Sequence, residues 1–192
     1  MPMKQRLPYT FLPFLVQSLL IYGLNHIHTI HWCALFFSLF TLHILYIAEK
    51  TTIKNTFGIH SCSILINMMI SINDIYYIQG QLIQGLYVAS YLSVFLSLSL
   101  GLFFFSKIKK ELAFPGRYFL SCLFASFVDG LGMMLFFIPI YTMERVLQIF
   151  AKEVSYKAFY TILILATVYG VQVSRTKLSS VMKKTPRVVN ER

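Results

Sequence analysis

Apolar residues run along this chain in six long, nearly unbroken stretches, and the polar residues between them fall in short clusters. The stretches cover 9–24, 32–48, 62–78, 83–105, 118–140 and 152–173. A helix needs about 20 mostly apolar residues to cross a bilayer, within a range of about 17–25. The pattern therefore predicts an all-α integral membrane protein, a bundle of six transmembrane helices. The first two stretches are short, and Asn25, His26, His28 and His31 lie between them, where a turn would reach the headgroups. Lys4 and Arg6 precede the first stretch as they would in a signal peptide. Pro8 and Pro13 interrupt it, however, and no small-x-small cleavage site follows, so it reads as an uncleaved first helix.

Polar residues inside the stretches are not scattered. Ser63, Asn67, Ser71 and Asp74 recur every three or four positions, which puts them on one helical face. Ser90, Ser93, Ser97 and Gly101 do the same in the fourth stretch. So do Cys122, Ser126, Asp129 and Met133 in the fifth, where Gly130 and Gly132 flank the acid. Small, weakly polar stripes let membrane helices approach closely, and equally they line cavities.

Asp129 lies near the middle of its stretch, where a carboxylate facing lipid costs about 2.5 kcal/mol or more. It must face the bundle interior or water, find a donor, or hold a proton. It is either a satisfied interior acid or a substrate or proton site. Lys157 lies near the start of the sixth stretch, roughly 8 Å nearer the same end than Asp129 at the rise of an α-helix. A lysine stem covers much of that distance. An Asp129–Lys157 pair is therefore allowed, with Thr161 on the Lys157 face; the alternative for Lys157 is snorkelling to the headgroups.

The five histidines, His26, His28, His31, His43 and His60, lack metal-site spacing and read as interfacial residues; no metal or cofactor is expected. Cys33, Cys62 and Cys122 read as small membrane-buried thiols. Tyr76, Tyr77, Tyr87 and Tyr91 suit an aromatic belt, and some of them suit stacking on a flat heterocycle.

Composition agrees with the pattern. Of 192 residues, 57% are hydrophobic and 12% charged, with a mean hydropathy of +0.67. A soluble domain carries about 45–50% apolar and about 25% charged residues. A soluble domain, a disordered chain and a disulfide-stapled secreted domain are excluded. The net charge of +10 would suit nucleic acid if it formed a patch. Here the cations lie outside the apolar stretches, which points to the anionic inner leaflet of the bilayer as partner and not to nucleic acid.

Lys4 and Arg6 precede the first helix, and Lys50 and Lys54 follow the second. Lys107, Lys109, Lys110 and Arg117 follow the fourth, and six more cations follow Val173. Of the 17 Lys and Arg, only Arg145, Lys152 and Lys157 lie elsewhere. Positive residues are retained in the cytoplasm, so both termini are expected there. The division is a membrane domain over 1–175 and a basic cytoplasmic tail over 176–192.

Four segments carry a family likeness. Ser126-Phe-Val-Asp129-Gly130, followed by the Leu/Phe-rich 133–140, is similar to an N-x-x-D-[ST] helix. Lys157, twelve residues before Tyr169-Gly170, is similar to a K…Y-G final helix. Ala89-Ser90 resembles an A-S element, and Phe57-Gly58 the end of a D-x-x-x-E-x-[YF]-G segment. Together they resemble the vitamin uptake transporter (VUT) family, also described as queuosine precursor transporters. These small six-helix bacterial proteins are similar to the substrate-binding components of energy-coupling-factor transporters. Ser126 stands where the family has Asn and Thr51 where it has an acid, and an arginine expected near Gly85 is absent.

The resemblance implies uptake of a small heterocyclic metabolite, a queuosine-precursor-like deazapurine or a vitamin-like compound, across the bacterial inner membrane. The implied substrate-binding residues are Asp129, Lys157, Ser126, Asn67, Ser90, Tyr91 and Thr161. Asp129 would accept from ring N–H groups or carry a coupling proton. An ATPase partner is neither required nor excluded by these motifs. The alternative is a non-transporting membrane interaction or structural subunit. A membrane-embedded enzyme is disfavoured because Asp129 is expected to be the sole acid at depth.

Overall fold

The computed structural model describes residues 7–26, 29–71, 77–78, 81–83 and 85–184; of these, 7–10, 77–78, 81–82 and 171–184 are described by backbone alone. Six long helices make up nearly all of it: α1 Leu7–His26, α2 Ile30–Lys50, α3 Ile53–Ile70, α4 Leu86–Lys107, α5 Phe114–Phe137 and α6 Met143–Lys184. A minimal antiparallel hairpin, Tyr77–Ile78 against Gln81–Leu82, lies between α3 and α4. Among the described residues, three stretches are long and apolar enough to cross a membrane: Ile30–Lys50, Leu86–Lys110 and Phe114–Phe137.

The helices form a closed ring in the spatial order α1, α2, α6, α5, α4, α3, and α2 leans inward to touch all five others. Its buried residues, among them Ala34, Phe37, Ser38, Thr41, Ile44, Leu45 and Ala48, recur every three or four positions. Phe40 and Ile47 extend burial to a second face, as a central helix requires. Short connections make chain neighbours antiparallel. The C-termini of α1, α3 and α5 thus meet the N-termini of α2, α4 and α6 at one end. The opposite end holds Lys50, Lys54, Lys107, Lys109, Lys110 and Arg117, and is the basic end.

Polarity is arranged inside out. Gln17, His60, Ser63, Ser97, Ser121, Ser126 and Thr161 are fully buried, while Leu12, Leu65, Met69, Phe103, Leu135 and Phe159 stand exposed around the bundle. Such a belt is costly in water and natural in a bilayer, where helices associate through close packing and hydrogen bonds. The small-residue stripes supply that packing. A Cβ on Gly130 would sit 2.8 Å from Phe150 on α6, and one on Gly101 would sit 3.0 Å from Ala125 on α5. Ser93 donates to the main-chain oxygen of Asp129 at 2.8 Å, locking α4 to α5.

Two helices start well before their expected places. α3 begins at Ile53 rather than at 62, because Thr52 caps it, accepting from the Asn55 N–H at 3.3 Å. Phe57-Gly58 therefore lies inside a helix. α3 then ends at Ile70, and the hairpin takes the place of the expected last turns. Gly85, at φ 78°, makes the left-handed entry into α4 that side-chain-bearing residues avoid. α6 begins at Met143, nine positions before the expected 152, and continues to Lys184, so part of the basic tail prolongs this helix. The polar pair Glu144–Arg145, a link by its composition, is helical. Residues 185–192, Asp74, His28 and Tyr76 lie outside the described residues.

Candidate functional site

The early start of α6 changes the depth of Lys157. From Met143 it lies roughly 21 Å along the helix, no longer near its mouth. That brings it level with Asp129, and the pair that spacing merely allows is made: Lys157 Nζ donates to Asp129 Oδ2. The same ammonium donates to Glu153 Oε1, one turn earlier on α6. Lys157 is 2% exposed and Asp129 3%. The Lys157 ammonium also sits 4.2 Å from the centroid of the Phe37 ring on α2. Lys157 is thus an interior residue and does not snorkel.

Beside this triad lies a cavity of about 200 Å³, at the end opposite the basic one. Asp129, Glu153 and Lys157 line it together with Asn25, Cys33, Tyr87, Ser90 and Met133. Ser90 donates to Asn25 Oδ1 at 2.7 Å, and Asn25 Nδ2 donates back to Ile21 O at 3.1 Å. Those two bonds leave one Asn25 N–H and the acceptor side of the Ser90 hydroxyl available. Asp129 Oδ1 is buried and has no hydrogen-bond partner.

Of the seven expected site residues, Asp129, Lys157 and Ser90 come together at the cavity. The other four are structural in their contacts. Thr161, one turn past Lys157, donates to Lys157 O at 2.7 Å and meets Cys122 Sγ at 3.0 Å. Ser126 returns its hydroxyl to Cys122 O at 2.7 Å. Asn67 donates to Ser63 O at 2.8 Å within α3, and the Tyr91 hydroxyl pairs with Ser71 at 3.1 Å between α3 and α4. The α3 stripe thus serves packing across the ring from the cavity.

Three sequence expectations are corrected here. Asn25 is 5% exposed in the cavity wall, not a headgroup residue. His60 is fully buried, its ring stacked on Phe95 with centroids 5.6 Å apart, so it is not interfacial. Asp129 is not the sole deep acid, since Glu153 shares its lysine. The sequence does carry a signal for Glu153: an acid four residues before an intramembrane lysine faces it on a helix.

Compared with protein-family models, with curated proteins and with solved structures, the chain matches none.

Proposed function

We propose that the chain is a bacterial inner-membrane carrier with six crossings and both termini in the cytoplasm, taking up a small heterocyclic metabolite of the queuosine-precursor or vitamin type. The motif likeness at Asp129, Lys157 and Ala89-Ser90 motivates the substrate class. The observation that carries the reading is the cavity at the end poor in cations, with an unpartnered carboxylate oxygen in its wall. By the positive-inside rule that end faces outward, where a solute for uptake first meets the protein. A buried acid kept at membrane depth without full satisfaction is a cost a pure scaffold has no reason to bear.

The cavity of about 200 Å³ lies below the range of about 300–1,000 Å³ usual for drug-sized ligands, so it suits one or two fused rings. Tyr87 supplies a face for stacking. Asp129 Oδ1 accepts from a ring N–H or takes the coupling proton. Lys157 holds Asp129 in place. Uptake of a labelled purine-like base into cells or proteoliposomes tests the reading. Accumulation that disappears in a folded Asp129→Ala variant supports it. A purified protein that takes up and binds no member of a heterocycle panel is a scaffold instead.

A further inference from the structure

The triad does not balance. With both carboxyls ionised, Lys157 sets one positive charge against two negative ones, and among the described residues no other Lys, Arg or His lines the cavity. The ammonium is committed to one oxygen of each acid, which leaves Asp129 Oδ1 buried and unpartnered at the cavity wall. Burying an uncompensated charge is expensive, and low-dielectric walls focus its field into the hollow. A ligand bearing a carboxylate or phosphate would meet two like charges there. A neutral N–H would satisfy the oxygen's hydrogen bond but leave the charge. A proton on the paired carboxyls, or a cation in the cavity, answers both demands, and the ring of Tyr87, which also lines the cavity, suits a cation further.

We infer that the cavity takes its ligand by a positively charged nitrogen, an ammonium or amidinium, seated on Asp129 Oδ1, with Glu153 supplying the charge that Lys157 does not cancel. This rests on the uptake reading above and narrows its substrate class to small ring compounds that carry a protonated nitrogen. Ser90 and Asn25, bonded to each other, also line the cavity and are neutral, so they add hydrogen bonds but no charge.

The test uses the purified full chain in detergent and four probes of one shape: benzamidine, benzylamine, benzamide and benzoate. Thermal shift and calorimetry read binding. Benzamidine or benzylamine should stabilise the protein, while benzamide and benzoate should not. Asp129→Asn should weaken the cation roughly tenfold to a hundredfold, the scale of one charge-assisted hydrogen bond. Glu153→Gln keeps the Asp129–Lys157 pair and removes the excess charge, so it should also weaken the cation. It serves as the deciding variant if Asp129→Asn does not fold. Equal binding of benzamide and benzamidine, undiminished binding in the variants, or no binding by any probe overturns the inference. If a neutral purine base is nonetheless accumulated, the cation claim falls and the uptake reading stands; if neither binding nor uptake occurs, both fall.

Discussion

Ser90 on α4 donates its hydroxyl proton to Asn25 Oδ1 at the end of α1, at 2.7 Å, and so ties together two helices that are not neighbours in the ring. Both side chains line the cavity that the Asp129–Lys157–Glu153 triad also lines. Ser90→Ala removes the donor and leaves Asn25 with an unmatched acceptor. Interhelical hydrogen bonds in membranes are worth about 0.6 kcal/mol on average, so the stability loss should be of that order. On the uptake reading, transport should fall more than stability does, because the cavity lining loosens where the ligand is proposed to sit. Unfolding in detergent read beside transport separates the two; equal, small changes in both would make the bond merely structural.

At the basic end Arg117 grips Glu49 with both guanidinium arms, at 3.0 and 3.3 Å, and Lys109 adds a looser contact at 3.7 Å. The guanidinium also lies 4.8 Å from the centroid of the Phe105 ring. This clasp joins α2 to α5 at the end away from the cavity. Arg117→Lys loses the two-armed geometry and most of the stacking, and should cost about 1 kcal/mol, reduced by the partial exposure of Glu49. Exchanging the two residues, Glu49→Arg with Arg117→Glu, should recover part of the loss. Thermal midpoints of the parent, the single variants and the exchange measure it; no recovery on exchange would mean that the aromatic contact, not the ion pair, holds the clasp.

Gly132 lets α4 lie against α5. A Cβ there would come within 2.5 Å of Ser93 Oγ, the same hydroxyl that holds the main chain of Asp129. Gly132→Ala should therefore cost about 1–3 kcal/mol by overpacking, and Ser93→Gly should restore much of it. Gly58 is the control: a Cβ there meets nothing within 4 Å, and it lies inside α3. Gly58→Ala should stabilise by about 0.5–1 kcal/mol through backbone entropy alone. A destabilised Gly58→Ala beside a tolerated Gly132→Ala would overturn both roles.

The helical bundle is legible in the sequence because apolar run length is a one-dimensional signal, and α2, α4 and α5 fall within a few residues of their expected ends. The misplaced boundaries share a cause. Lys54, Asn55 and Ser61 in α3, and Glu144 and Arg145 in α6, are polar residues on helical turns that apolar counting cuts away. Asp129 and Lys157 stand out because charge within an apolar run is costly wherever it points. Asn25 does not, since a neutral amide at a helix end is cheap both at a headgroup and in a cavity. Distinguishing the two needs the position of Ser90, sixty-five residues away in the chain. The serine stripes are ambiguous for the same reason: Ser93 packs and Ser90 lines, yet they sit one turn apart on α4.

Lys157 holds the buried carboxylate of Asp129 and the half-buried one of Glu153. Lys157→Met keeps the length of the stem and removes the charge, so both acids lose their partner at once. Breaking a buried pair in this way costs about 3–5 kcal/mol, a large part of the stability of a domain this size. The single variant should express poorly and lose its helical melting transition. Adding Asp129→Asn and Glu153→Gln removes the stranded charges as well, and the triple variant should regain the fold. On the uptake reading it should not regain uptake, because the carboxylate proposed to draw the ligand has gone with the charge. Circular dichroism and transport on the single and triple variants check the sequence of outcomes. A triple variant that still transports would show that the triad only holds helices together; one that stays unfolded would show that Lys157 stabilises the bundle through its packing on Phe37 rather than through its charge.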